Sequence, residues 1–208
     1  MIGVYDYTVI ATYLSLAFGV SGILAAMDGS AFAALLCLML AGLLDAFDGR
    51  IARTKKNRTE QEKRFGIQID SLNDVICFGV LPGVVGASLG NGEWWLRASV
   101  LFYVLAGLIR LAFFNVSEEE RQSATNEHRR FYLGVPITSA AFVAPLFWLT
   151  PLRFGWNAAA VYAAGLTVLG VLFISPVHIP KPGLKGILLM ALLGVAELFA
   201  MLYGVMPL

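Results

Sequence analysis

Long apolar runs separated by short polar segments dominate the pattern of hydrophobic and polar positions in this 208-residue chain. A helix needs about 20 apolar residues to cross the hydrocarbon core of a bilayer. Seven stretches approach that length: residues 8–28, 31–53, 67–90, 94–116, 134–151, 156–175 and 184–205. Three prolines interrupt the fifth stretch, so six or eight spans remain open alternatives. The pattern predicts an all-α polytopic membrane bundle of about seven transmembrane helices, with residues 1–208 forming a single integral-membrane domain.

Composition supports this prediction. Hydrophobic residues make up 58% of the chain and charged residues 14%, whereas a soluble domain carries about a quarter charged residues. Cys37 and Cys77 both fall inside apolar stretches, which favours buried thiols over a disulfide or a metal pair. The first ten residues lack the basic segment and cleavage site of a secretory signal, so we expect the first apolar stretch to remain in the mature protein.

The charges are distributed unequally between the two predicted membrane faces. Two charged segments, 53–64 and 117–130, together with Lys181 and Lys185, place eleven Lys and Arg residues on one side; the other side has Arg97 and Arg153. Basic residues accumulate on the cytoplasmic side of membrane proteins. We therefore expect a multi-pass protein with the charged face in the cytoplasm. Since no targeting extension is recognised, we expect the cytoplasmic (inner) membrane of a prokaryote.

Four aspartates lie at the cytoplasmic ends of the second and third spans. Asp45 and Asp48 are three residues apart, and Asp70 and Asp74 are four apart, so each pair projects from one helix face. An aspartate at the centre of a span costs about 2.5–3.5 kcal/mol, and four together also repel one another. They need cations. Basic residues of the adjoining loop could provide these, or one or two bound Mg²⁺ or Mn²⁺ ions could do so; of these numbers we expect two ions.

Small residues and an arginine adjoin the acids. Gly49 and Gly66 have no side chain to obstruct a bulky ligand, Ala52 keeps the same helix face small, and Arg53 offers a positive charge to a phosphate. Carboxylates for a metal, clearance for a ligand and a cation for an anion together indicate phosphoryl transfer.

These residues form a recognisable motif. Residues 45–74 match D-x2-D-G-x2-A-R followed by G-x3-D-x3-D at all eight positions: Asp45, Asp48, Gly49, Ala52, Arg53, Gly66, Asp70 and Asp74. The pattern resembles the signature of the CDP-alcohol phosphatidyltransferases. Twelve residues separate Arg53 from Gly66, where the family usually has a shorter spacer, so the cytoplasmic loop is extended.

The flanking sequence is most similar to the membrane-integral phosphatidylserine synthases within this family. The similar stretches are "IDSLNDVICFGVLPG", "LIRLAFFNV" and "FYLGVPITSAA". Two positions depart from the pattern: Phe113 replaces an arginine, and Phe18 stands where a cytidine-facing asparagine is expected, although Ser15 is retained.

The resemblance implies transfer of a phosphatidyl group from CDP-diacylglycerol to the hydroxyl of L-serine, giving phosphatidylserine and CMP. It makes Asp45, Asp48, Asp70 and Asp74 the metal ligands and Asp74 also the general base. The CDP-diacylglycerol site would comprise Gly49, Ala52, Arg53, Gly66 and Ser15.

The acceptor site is predicted from three further residues. Arg110 lies inside an apolar span, where a guanidinium suits the serine carboxylate, unless it snorkels or pairs with an aspartate. Asn115 would donate a hydrogen bond nearby or cap a helix, and Lys55 would attract anionic substrates.

Other functions remain as alternatives. The basic loop also suits glycerol 3-phosphate or an inositol phosphate as acceptor, whereas an ion transporter would need acids through the full membrane depth. We expect membrane lipids but no nucleic acid as partners. The small residues in "GVSG" and "GVVGASLG" permit either internal packing or the homodimer that we expect. Glu197, inside the last span, receives no role.

Overall fold

A computed structural model describes residues 3–124, 131–180 and 184–205. The α-helices are α1 Tyr7–Met27, α2 Ala31–Thr54, α3 Glu60–Asp74, α4 Leu81–Ser88, α5 Trp94–Ala124, α6 Ala140–Phe154, α7 Ala158–Ile174 and α8 Leu184–Val205. A π-helical segment, Val75–Val80, joins α3 to α4, and a 3₁₀ turn, Ile137–Ser139, precedes α6. Strand β1, Phe131–Leu133, pairs antiparallel with β2, His178–Pro180. Arg129, Arg130 and Lys181 lie outside the described residues.

Five helical stretches in the described part of the chain are long and apolar enough to cross a membrane: Tyr7–Met27, Ala31–Thr54, Glu60–Ser88, Trp94–Arg121 and Ile137–Phe154. Helix α7, with 17 residues, is apolar but shorter, and α8 has 22 residues. These seven elements correspond to the seven apolar stretches of the sequence. The predicted all-α membrane bundle is confirmed.

Helix α3 begins at Glu60, seven residues before the apolar stretch that starts at residue 67. Thr59 and Glu62 form a capping box: the backbone N–H of Glu62 donates to the Thr59 hydroxyl, and that of Thr59 donates to the Glu62 carboxylate. This arrangement satisfies two N–H groups at the start of a helix. The charged segment before residue 67 is therefore partly helical.

The π-helical segment directly follows Asp74 and ends just before Pro82. Proline has no N–H, so Pro82 cannot donate to the carbonyl of Phe78 four residues earlier. That carbonyl instead accepts a 2.5 Å hydrogen bond from the hydroxyl of Tyr103 on α5. The Leu81 N–H donates to Ile76, five residues back. Tyr103 therefore stabilises the irregular helix that follows Asp74.

Glycines allow α1 and α4 to approach neighbouring helices closely. A Cβ at Gly22 would lie 2.8 Å from Leu81 and 3.1 Å from the carbonyl of Ala34 on α2, and one at Gly86 would lie 3.1 Å from Tyr162 on α7. The glycines of these two stretches thus serve packing within the chain.

The β1–β2 pair connects the segment before α6 to the segment after α7. Gly134 has φ +75°, and its N–H donates to the Val177 carbonyl at 2.8 Å. A Cβ at this position would lie 2.6 Å from the Phe173 carbonyl. Only glycine combines this backbone conformation with this close approach.

Candidate active site

The structure brings together carboxylates that are far apart in the motif. Asp45 from α2 and Asp70 and Asp74 from α3 present oxygens that all lie within 4.8 Å of one another. The side chain of Asp48 faces Asp70, and that of Asp45 faces Asp74. The two motif halves therefore form one acidic cluster, which we call the aspartate cluster: Asp45, Asp48, Asp70 and Asp74.

The aspartate cluster fits a divalent cation. Two ligands on opposite sides of an Mg²⁺ ion, each about 2.1 Å from it, are about 4.2 Å apart, close to the observed upper limit of 4.8 Å. Asp70 Oδ1 and Asp74 Oδ1 are buried and have no hydrogen-bond partner among the described residues. A buried carboxylate oxygen without a donor is costly, and a cation would satisfy it.

Basic residues of the adjoining loop have other partners. Lys63 pairs with Glu60 at 2.6 Å, and the Arg58 guanidinium donates to the Glu62 carbonyl at 3.2 Å. Lys63 and Arg58 therefore do not neutralise the aspartates in this structure, contrary to the alternative in which loop cations do so.

Side chains of helix α1 form hydrogen bonds with residues in and next to the aspartate cluster. The Thr12 hydroxyl donates to Asp48 at 3.3 Å. The side-chain amide of Asn73, which is buried, donates to the Ser15 hydroxyl at 3.2 Å, and that hydroxyl donates to the Ala41 carbonyl at 3.2 Å. Thr12 and Asn73 were not among the predicted site residues, although a polar residue within an apolar span was a usable signal. The hydroxyl of Ser15 is engaged within the protein, and its role in nucleotide binding stays a prediction.

The two motif glycines have different surroundings. Gly49 is exposed, and beyond its own helix backbone and its chain neighbours a Cβ there would have Arg53 Nη1, at 3.8 Å, as its one neighbour within 4 Å among the described residues. A Cβ at Gly66 would lie 2.7 Å from Arg58 Nη2. Ala52 is half-buried and Arg53 is exposed. The clearance predicted at Gly49 is present, whereas Arg58, which the sequence analysis did not assign to the nucleotide site, covers Gly66.

Lys55 lies between two acids. Its amine is 2.6 Å from Asp6 and 2.7 Å from Glu62. The bond from Lys55, reinforced by bonds from Thr8, lowers the pKa of Asp6 from 3.8 to about 2. Lys55 thus links the start of α1 to the start of α3, and its contribution to acceptor binding stays a prediction.

Arg110 is only 7% exposed, and its guanidinium carbon lies 5.1 Å from the ring centroid of Phe114. This burial argues against snorkelling. Arg110 shares the buried face of α5 with Tyr103, which contacts the π-helical segment next to Asp74. Arg110 therefore lies on the side of α5 that packs towards the helix bearing the cluster.

Asn115 connects α5 to α3. Its amide donates to the Ser71 hydroxyl at 2.8 Å, and its side-chain oxygen lies 3.2 Å from that hydroxyl. Since α5 continues to Ala124, Asn115 is not the helix cap that the sequence left as an alternative. Ser71 directly follows Asp70, so this contact brings Asn115 next to the cluster.

Comparison with known proteins agrees with the motif. The model of the CDP-alcohol phosphatidyltransferase family matches residues 8–174. The chain belongs to this family. The match begins in α1 and ends at the last residue of α7, so it includes every residue of the aspartate cluster.

Several relatives carry names that specify an acceptor. The chain is 33% identical over 145 residues to a CDP-diacylglycerol–serine O-phosphatidyltransferase of Helicobacter pylori, covering 67% of this chain and 56% of that protein. It is 35% identical over 164 residues to an archaetidylserine synthase of Methanothermobacter thermautotrophicus, covering 78% and 64%. A Mycobacterium tuberculosis CDP-diacylglycerol–serine O-phosphatidyltransferase is 28% identical over 176 residues, covering 82% and 59%. The matched region thus spans less than two thirds of each relative.

Proposed function

We propose that this chain transfers a phosphatidyl group from CDP-diacylglycerol to the hydroxyl of L-serine and releases CMP. The observation that carries the proposal is the aspartate cluster, in which the acids of the family motif come together from α2 and α3. The relatives named for serine transfer support the choice of acceptor.

We propose that two Mg²⁺ or Mn²⁺ ions bind to Asp45, Asp48, Asp70 and Asp74. The buried oxygens of Asp70 and Asp74 without hydrogen-bond donors support this assignment. Bound divalent ions would neutralise the diphosphate and stabilise the departing CMP.

Asp74 is the proposed general base. It is buried and lies at the junction with the π-helical segment. Its carboxylate would accept the proton of the serine hydroxyl while the serine oxygen forms a bond to the phosphorus that carries diacylglycerol. The bond from that phosphorus to the bridging oxygen breaks, and CMP leaves with the electron pair. The protein supplies position and charge, as is general for phosphoryl transfer.

The remaining site residues bind the two substrates. Gly49 and Ala52 leave space for the nucleotide, Gly66 would add to that space once Arg58 moves aside, and the exposed Arg53 offers a phosphate contact. For the acceptor, the buried Arg110 matches the serine carboxylate, since a guanidinium binds a carboxylate through two parallel hydrogen bonds. Asn115, held beside Asp70 by Ser71, is placed to donate to the same substrate.

We further propose that the protein resides in a cytoplasmic membrane as a homodimer, with the cluster facing the cytoplasm. The charge asymmetry supports the orientation. A cysteine introduced at Asn57, in the exposed loop, should react with an impermeant thiol reagent only after cells are opened. Cross-linking in membranes at increasing protein dilution should retain a dimer.

The test of function is CMP release by purified protein from CDP-diacylglycerol with Mg²⁺ or Mn²⁺. The acceptors are L-serine, glycerol 3-phosphate, inositol and inositol 1-phosphate. We expect serine-dependent release that stops with a chelator and in Asp74→Asn. Asp28→Asn is the matched control, because Asp28 is exposed at the far end of α1.

The outcomes separate the elements of the proposal. Release with a different acceptor alone would overturn the assignment of Arg110 to serine and keep the cluster. Full activity in Asp74→Asn would overturn the general base. Release that persists after complete chelation would overturn the metal assignment.

A further inference from the structure

Arg58 comes from the extended loop between Arg53 and Gly66 and therefore lies outside the family motif. Its Nη2 atom is 2.7 Å, and its Cζ atom 3.9 Å, from the position of a Cβ on Gly66. Gly66 is one helical turn before Asp70 on α3. The guanidinium thus lies on the glycine surface that borders the aspartate cluster.

The loop holds Arg58 in this place through contacts on both sides. Before it, Lys55 pairs with Asp6 and Glu62. After it, Thr59 begins α3 through its capping box with Glu62. Arg58 Nη2 itself donates to the Glu62 carbonyl at 3.2 Å. These contacts fix the backbone on each side of Arg58, so the ordering cost that a mobile surface arginine pays on binding a ligand is reduced.

The donors of Arg58 are not all used. Its Nε atom is buried and has no hydrogen-bond partner among the described residues. A guanidinium stays charged and presents five N–H donors in a planar fork that matches phosphate oxygens. Arg58 lies on Gly66, and the exposed Arg53 lies beside Gly49, so each motif glycine has one arginine next to it.

We propose that Arg58 binds the diphosphate of the CDP-alcohol, as a second phosphate-contacting arginine supplied by the extended loop. This inference rests on the proposed function. The diphosphate would satisfy the unused donors, and the side chain would move off Gly66 to make room for the nucleotide. Arg58 would thereby determine the affinity for the nucleotide substrate and leave the affinity for the acceptor unchanged.

The experiment measures KM for CDP-diacylglycerol in mixed micelles and KM for serine, in wild type, Arg58→Ala, Arg58→Lys and Arg64→Ala. Arg64 is the matched control because it is an exposed arginine on α3, two residues before Gly66. We expect Arg58→Ala to raise KM for CDP-diacylglycerol about tenfold or more, the range for losing a hydrogen bond to a charged group. Arg58→Lys should restore part of the affinity, and KM for serine should stay within about twofold of wild type in every variant, as should both KM values in Arg64→Ala.

Direct binding of CDP, measured by calorimetry, provides a readout independent of turnover. Weaker CDP binding in Arg58→Ala with an unchanged thermal midpoint would support the inference. Equal KM and CDP affinity in wild type and Arg58→Ala would overturn it while wild-type turnover upholds the proposed function. Absence of CDP binding and turnover in wild type would overturn the proposed function and the role of Arg58 with it.

Discussion

Replacing one carboxylate of the aspartate cluster should stabilise the protein in the absence of divalent ions and abolish its stabilisation by them. The proposed change is Asp45→Asn, which keeps the size of the side chain and removes its charge. Oxygens of Asp45, Asp70 and Asp74 lie within 4.8 Å of one another. Two unit charges at that distance repel by about 3.5 kcal/mol at an effective dielectric constant of about 20. Each pair that loses a charge is relieved of repulsion of at most this order, because neighbouring buried carboxylates share protons and do not all carry a full charge.

Divalent ions should reverse the order of stability. A ligand at 100 times its dissociation constant stabilises the folded state by about 2.7 kcal/mol. For a chain of about 200 residues, this corresponds to a rise of about 5–10 °C in the thermal midpoint. We expect this rise for wild type and little or none for Asp45→Asn, which loses both a ligand and the charge that attracts the ion.

The assay is thermal unfolding in detergent, with chelator and with a titration of Mg²⁺ or Mn²⁺. Asp28→Asn, at the exposed end of α1, should respond to the ions as wild type does. An equal ion-dependent rise in Asp45→Asn and wild type would refute the reasoning, since the ions would then bind elsewhere. A lower midpoint of Asp45→Asn in chelator would show that repulsion does not dominate the cluster.

Three further changes have distinct expected results. Tyr103→Phe leaves the buried Phe78 carbonyl without its donor, so the free energy of unfolding should fall by about 1–3 kcal/mol, measured by thermal or denaturant unfolding. Gly66→Ala places a methyl group on the surface where Arg58 lies and where the nucleotide would bind, so KM for CDP-diacylglycerol, measured by CMP release, should rise. Because both changes act at this surface, the double variant with Arg58→Ala should be less than additive. The pKa of Asp6 is lowered from 3.8 to about 2 in the folded protein. Its contribution to stability is therefore complete above pH 3.8 and is lost as the pH falls towards 2. The difference in thermal midpoint between wild type and Asp6→Asn should shrink over that pH range.

The helical architecture was predictable because a bilayer imposes one length on every span. The apolar stretches 8–28 and 31–53 differ from α1 and α2 by one residue at most at each end. The helices differ from the predicted apolar stretches where they continue into charged segments. Helix α3 begins at Glu60 and α5 extends to Ala124 rather than residue 116, because caps and ion pairs stabilise those ends and hydropathy does not record them.

The motif predicted which carboxylates belong together but not which cations accompany them. Lys55 and Arg58 lie three residues apart in one basic loop, and both carry a positive charge. In the structure, Lys55 bridges Asp6 and Glu62, whereas Arg58 lies on Gly66. The difference depends on Asp6, which lies far from the loop in sequence and meets it only through folding. Spacing in the sequence therefore could not distinguish Lys55, which pairs with two acids, from Arg58, which we propose contacts a phosphate.

Helix α1 shows why the motif alone does not build the site. Both pairs of acids depend on it: the Thr12 hydroxyl donates to Asp48 on α2, and Ser15 accepts from Asn73, the neighbour of Asp74 on α3. Like charges at the distances of the cluster repel, so two helices bearing them separate unless other contacts hold them. The polar residues of α1 provide such contacts on both helices. The first helix is thus a structural component of the proposed active site, although the acid motif begins only at Asp45.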